Sequence, residues 1–175
     1  DFCAEDNSGR MWFTGGSVYV YEGGSIQNIG ATFPGFPPSH GPITIDHSMN
    51  IWFSDYNRLY RYDGTNMQAF TFTNSPVAQS VGSLGTDVYG NVWTNSANGF
   101  CKWDGSSWTV YDSTYFGNKQ NVFYRMTCDR SGEIWFGSYL GLTHFDGSLF
   151  TIYDKYTGKF GDNFIRDLDF DEFNN

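Results

Sequence analysis

Four stretches of the chain repeat one pattern of apolar and polar positions, each centred on a Trp between apolar neighbours. They are GRMWF with Trp12, MNIWF with Trp52, GNVWT with Trp93 and GEIWF with Trp135, at spacings of 40, 41 and 42 residues. Six residues before each Trp stands an Asp: Asp6, Asp46, Asp87 and Asp129. After each Trp comes an aromatic–acid–Gly turn: YEGG at Tyr21, YDGT at Tyr62, WDGS at Trp103 and FDGS at Phe145. A short apolar alternation follows each turn, as in SWTVYD and LFTIYD. No stretch sustains apolar spacing of three and four, so almost no helix is expected.

Each repeat therefore reads as four strands. Strand A is short and ends at the Asp, whose carboxylate suits a turn because it accepts backbone N–H groups two residues on. Strand B carries the Trp. Strand C runs through segments such as RLYRYD and GLTHFD, and the Asp-Gly that follows supplies the positive φ of a tight hairpin into strand D. A four-stranded unit of this size cannot bury both faces alone. Packing such units radially solves the problem, and a period near 41 matches propeller blades; a solenoid is the runner-up. The expected fold is all-β: one β-propeller domain over 1–175 with repeats at about 1–30, 41–73, 81–112 and 122–154. The four Trp and four Asp residues are assigned to its scaffold, with each Trp packed between neighbouring blades.

The chain also carries an extra C-terminal strand, a partial fifth repeat over 163–175. NFIRDLDFDEFNN aligns with NVFYRMTCDRSGE at an offset of 42, matching Asp171 to Asp129. The chain starts at Asp1, so it reads as a processed mature chain or a piece of something longer. The spare strand fits a fragment of a larger propeller, a clasp that closes a four-bladed ring, or a joint with a neighbouring molecule. For the joint, Phe164, Ile165, Leu168 and Phe170 are the contact candidates. Pro37 and Pro38 of the stiff, Pro-rich first inter-repeat loop join them. Asp167, Asp169 and Asp171 alternate and would share one strand face. Arg125 and Arg166, early in their strand A segments, are placed to line the central channel or to pair with Asp167 and its neighbours.

Composition sharpens this picture. Aromatics make up 20% of the chain and Gly contributes 21 residues, which favours strands joined by tight turns. The net charge of −9, with ten scattered Lys and Arg, argues against nucleic acid. No apolar run is long enough to span a bilayer. Cys3, Cys101 and Cys128 show no metal-ligand spacing and read as buried thiols, with one disulfide plus a spare thiol as the minor alternative. His40, His47 and His144 do not pair at metal spacing. No cofactor is expected.

The fourth repeat, DRSGEIWFGSYLGLTHFDGSLFTIYD, resembles the two-component regulator propeller repeat almost throughout. That family's pattern is D-x-x-G-x-hydrophobic-W-hydrophobic-G-T, then G-L-x-aromatic-D-G, then F-x-x-Y. The first repeat departs from it at GSVYVYEGG and the third at WTNSANGF. The resemblance implies a periplasmic or extracellular propeller that senses ligands, often saccharides, for attached signalling modules.

Propellers bind at the rim of D–A and B–C loops, which vary while the blades hold them. His40, Asp55, Tyr56, Arg58, Asn95, Asn98, Tyr115, Lys119, Tyr139 and Tyr156 are placed there. Aromatic rings with Asn, Asp and Arg suit a sugar, the ring stacking on its apolar face and the polar groups bonding its hydroxyls. The leading expectation is a non-catalytic module for a ligand or another protein. The alternatives are a subunit that assembles with its own copies and, third, an enzyme like the streptogramin-inactivating lyases. That last reading needs a His–acid cluster on one rim, which the sequence does not assemble.

Overall fold

The computed structural model describes residues 3–32, 35–55, 57–97, 99–116, 123–157 and 160–171. Among them, sixteen strands form four antiparallel four-stranded sheets, one per repeat and each ordered as in the chain. Blade one is β1 (Cys3–Glu5), β2 (Met11–Thr14), β3 (Val18–Glu22) and β4 (Ser25–Asn28). Blade two is β5 (Ile43–Ile45), β6 (Ile51–Ser54), β7 (Leu59–Tyr62) and β8 (Met67–Phe70). Blade three is β9 (Leu84–Thr86), β10 (Val92–Ser96), β11 (Gly99–Trp103) and β12 (Trp108–Tyr111). Blade four is β13 (Phe123–Cys128), β14 (Ile134–Ser138), β15 (Gly141–Phe145) and β16 (Phe150–Tyr153). The fold is an all-β propeller of four blades. Its residues group into two compact units, 1–81 and 82–175, with two blades in each.

The turn between strands A and B recurs in every blade. Asp6, Asp46, Asp87 and Asp129 each accept two backbone N–H groups on Oδ1, from residues two and four further on. The turn also needs a left-handed residue, supplied by Gly9, Gly90 and Gly132 in three blades. In blade two the same place is held by Met49 at φ 64°.

Within each unit the core is the seam between its two blades. In the first unit Trp12 and Val20 of blade one meet Ile43, Ile51, Phe53 and Tyr60 of blade two. In the second, Trp93 and Phe100 of blade three meet Met126, Ile134, Phe136, Phe145 and Phe150 of blade four. Phe100 and Phe136 stack with centroids 3.6 Å apart. The face that carries the Trp is thus covered by the apolar face of the next blade. Strand alternation makes this possible, because successive side chains leave the sheet on opposite sides.

One segment departs from the sequence reading. Residues 163–171, expected as a spare strand A, form no strand. Among the described residues their one backbone bond to blade four runs from Ile165 N–H to Ser138 O at 3.0 Å. The N–H groups of Leu168 and Phe170 donate to the carboxylates of Asp167 and Asp169. Period-two alternation survives: Leu168 and Phe170 are half-buried, while Asp167, Asp169 and Asp171 are exposed. The loop before blade two holds a single helical turn, α1 (Ile29–Thr32), and Phe36, which stacks on Phe53 at 5.1 Å. Pro37 is half-buried and Pro38 exposed. All three thiols are free; Cys101 is buried, Cys128 half-buried and Cys3 exposed.

Candidate functional site

The four Asp residues do more than shape turns. Their second carboxylate oxygen accepts the indole N–H of the Trp six residues on, at 2.9 Å for Asp6–Trp12 and 2.8 Å for Asp46–Trp52 and Asp87–Trp93. The Asp129–Trp135 bond is longer, at 3.4 Å. A cation also sits over three of these indoles: Arg10 over Trp12, Arg61 over Trp52 and Lys102 over Trp93. In blade four, His144 takes that place. Its ring stacks on Trp135 at 4.1 Å, and Nε2 lies 2.7 Å from Glu133 Oε2. These eight residues and His144 are thus tied into the frame that holds the loops.

The rim candidates fall into separate groups. In the first unit Asp55 caps its own turn, accepting the N–H groups of Asn57 and Arg58 at 2.9 and 2.8 Å. Its other oxygen accepts the Tyr60 hydroxyl at 3.0 Å. Arg58 is exposed and reaches Tyr60 Oη at 3.5 Å. His40 is exposed against Gly16, whose N–H donates to Ser39 O at 2.8 Å. Tyr56 lies outside the described residues, as do Asn98 and Lys119 in the second unit.

In the second unit, Asn95 is only 9% exposed. Its Oδ1 accepts the N–H groups of Ser83 at 2.8 Å and Gly82 at 3.2 Å, closing the path into β9. Its side chain points into the fold, and its oxygen is already occupied. Tyr115 lies in a 3₁₀ turn (Ser113–Phe116), with its ring edge-on to Tyr111 and Phe150 at 5.5 and 6.0 Å. Tyr156 is exposed, with the Lys155 ammonium 5.1 Å from its ring.

Tyr139 is different. It lies in the B–C loop of blade four and is 54% exposed. Its ring stacks on Phe164 at 4.8 Å with planes 11° apart. Tyr124 meets both rings edge-on, at 5.0 Å from Tyr139 and 5.3 Å from Phe164. The Arg166 guanidinium lies 5.0 Å from the Phe164 centroid, and Arg125 pairs with Asp167 at 3.2 Å. Burial and a hydrogen bond with Tyr139 push the Tyr124 phenol up to about 12, despite the opposing pull of Arg166. The hydroxyl therefore stays protonated and able to donate.

The position of Tyr124 has a local cause. The β13–β14 register pairs Phe123 with Ser138 and Arg125 with Gly137, so Tyr124 is the extra residue of a β-bulge. Bulges re-aim a side chain, and here the result turns a ring toward the B–C loop. The sequence reading picked Tyr139 as a rim residue and Phe164 as an assembly residue but passed over Tyr124. Extending the strand A–strand B register back from Thr127 and Trp135 would pair Tyr124 with Ser138, so no signal in the periodicity marks the bulge.

No protein-family model and no curated protein sequence matches the chain. Several solved structures share its fold. The extracellular domain of a hybrid two-component system from B. thetaiotaomicron matches 99% of this chain and 25% of its own, at 17% identity and a TM-score of 0.74. PorZ, a surface component of the type-IX secretion system of Porphyromonas gingivalis, matches 98% of this chain and 29% of its own, at 14% identity and a TM-score of 0.71. Virginiamycin B lyase from Staphylococcus aureus matches 86% and 54%, at 14% identity and a TM-score of 0.66. The chain thus spans between a quarter and about half of these structures. At such identities the likeness establishes the propeller fold.

Proposed function

We propose that this chain is a non-catalytic recognition module that works outside the cytoplasm and binds a saccharide on the blade-four rim. The observation that carries the reading is the platform of Tyr139, Phe164, Tyr124 and Arg166. An exposed phenol ring held flat offers a face to the apolar side of a sugar ring. The Tyr hydroxyls and the Arg166 guanidinium supply hydrogen bonds to hydroxyl or carboxylate groups around it. The rings are braced by one another and by β13 and β14, so little ordering is required on binding.

The repeat pattern supports a propeller of the two-component regulator kind. Extracellular domains of hybrid two-component systems and a bacterial surface component are among the solved proteins with this fold, which supports a place outside the cytoplasm. The lyase-like reading is the weaker one. His144 and Glu133 do form a close pair, but the imidazole is stacked on a scaffold Trp and the pair lies apart from the Tyr139 platform. No cofactor enters the proposal.

The test is a panel of immobilised neutral and uronic-acid oligosaccharides, probed with the chain and with Tyr139→Ala and Arg166→Ala. The reading expects binding to a subset and its loss on Tyr139→Ala, with the far-UV spectrum unchanged. Binding that survives both substitutions, or no binding across the panel, contradicts it.

A further inference from the structure

The four turns between strands A and B share one design, and blade three breaks it. The two positions after the turn Asp are polar in the other blades: Asn7 and Ser8, His47 and Ser48, Arg130 and Ser131. In blade three they are Val88 and Tyr89, which are 44% and 70% exposed. The turn needs only the backbone N–H at the second of these positions. Tyr89 donates it to Asp87 as Ser8, Ser48 and Ser131 do to their own Asp residues. The Tyr89 ring is therefore surplus to the turn. It lies over the matching turn of blade four, where a Cβ added to Gly132 would meet Tyr89 Cε2 at 2.8 Å.

Beside that ring a cavity of about 110 Å³ opens in the seam between blades three and four. All of its lining belongs to the unit 82–175. Trp93, Tyr111 and Phe145 supply its aromatic wall, and Tyr89, Lys102 and Gly147 also line it. It sits at the end of the blades that carries the A–B and C–D turns, away from the B–C loop that holds Tyr139.

Two polar groups of the lining are unengaged. Lys102 Nζ lies 5.7 Å from the Trp93 ring centroid and makes no ion pair among the described residues. In blade one the cation over the Trp is taken up by the turn, since Arg10 pairs with Asp6 at 2.7 Å. In blade three Asn91 stands where Arg10 does and donates to Asp87 Oδ2 at 2.8 Å. With the Trp93 indole and two backbone N–H groups, Asp87 then has four donors and needs no cation. The Tyr111 hydroxyl likewise makes no hydrogen bond among the described residues. Burial raises its phenol above the ordinary value, with Tyr115 and Asp87 adding to the effect, so the group stays protonated. The ammonium and the phenol both donate, so a ligand that satisfies them must accept.

We infer that the cavity between blades three and four is a binding site for a small aromatic carboxylate. The carboxylate enters the cavity and accepts hydrogen bonds from the Lys102 ammonium and the Tyr111 hydroxyl. Asp87 places a negative charge in the same lining, which Lys102 offsets. A cavity of roughly 150 Å³ holds a benzene ring, so this smaller one takes the carboxylate and leaves the ligand's ring outside. There it packs on the exposed ring of Tyr89, which gives that ring the role the turn does not. This inference does not depend on the saccharide reading, which concerns the opposite end of the blades.

The probe is phenylacetate, titrated through the millimolar range into the isotope-labelled whole chain and followed by amide NMR shifts. Phenylacetamide, its uncharged analogue, is the control. Saturable shifts are expected at Tyr89, Asn91 and Gly132, with a much weaker response to the amide. Lys102→Met keeps the stem and removes the charge, and is expected to weaken binding by about tenfold or more. Tyr89→Ser installs the residue found at that turn position in the other three blades, so the fold is expected to persist while binding weakens severalfold. Thermal melts of both variants check the fold, and Tyr89→Ser alone decides if Lys102→Met does not fold. No saturable shift at these amides, an equal response to phenylacetamide, or full-strength binding in either folded variant overturns the proposal.

Discussion

The Trp93 indole donates its N–H to the carboxylate of Asp87, six residues earlier, across 2.8 Å in the buried base of blade three. The other oxygen of that carboxylate binds the Tyr89 and Asn91 N–H groups. One side chain therefore fixes both the turn and the Trp on which the next blade packs. Asp87→Ala leaves these donors without their acceptor. A loss of about 3 kcal/mol is expected from the urea midpoint of the purified variant.

The same arrangement predicts acid sensitivity. Burial disfavours the charged form of Asp6, but hydrogen bonds from Trp12, from the Arg10 and Ser8 N–H groups and from the Arg10 guanidinium outweigh it and hold the group at about 2. A carboxylate lowered in the folded state contributes stability above its unfolded value, and that contribution is lost as pH falls toward the folded value. Stability should therefore decline from about pH 4 down toward pH 2. Asp6→Asn should be less stable at neutral pH and show a shallower decline, read from melting temperatures across that range.

How much of this was legible in the sequence depends on whether a residue's role is set by the repeat or by one local event. The Asp–Trp spacing and the aromatic–acid–Gly turn recur four times, so the blades could be read directly. The indole–carboxylate bond could not, because spacing does not reveal which way a ring N–H points. Asn95 looked like a rim residue by type. Its place, two after the Trp, is that of Thr14 and Ser54, both buried, and register rather than residue type was the better guide. Tyr124 depended on a bulge, which interrupts the periodicity that made the rest readable.

Asn95 supplies a direct check of that lesson. Its oxygen serves two backbone N–H groups at the start of blade three. Asn95→Ala is expected to lower stability by about 1 to 2 kcal/mol while leaving saccharide binding at the Tyr139 platform unchanged. Parallel denaturation and binding measurements separate the two effects.

Met49 holds a left-handed backbone that three other blades assign to Gly. An L-residue there costs about 1 to 2 kcal/mol, partly offset by the chain entropy that Gly loses on folding. Met49→Gly is expected to raise stability by about 0.5 kcal/mol. The check is a higher urea midpoint at unchanged slope.

The thiols should differ in reactivity. Cys101 is buried, and desolvation pushes its thiol well above the ordinary range, so little thiolate is present to react. Cys3 is exposed. Alkylation followed by mass spectrometry should label Cys3 within minutes and Cys101 only in denaturant.

The central claim is that recognition occurs on the blade-four rim. Hydrogen–deuterium exchange, with and without the oligosaccharide that binds best in the panel, tests it most directly. The account predicts added protection confined to Ser138–Gly141 and Phe164–Arg166. Protection centred on Asp55–Tyr60, or no change anywhere at saturating sugar, would contradict it.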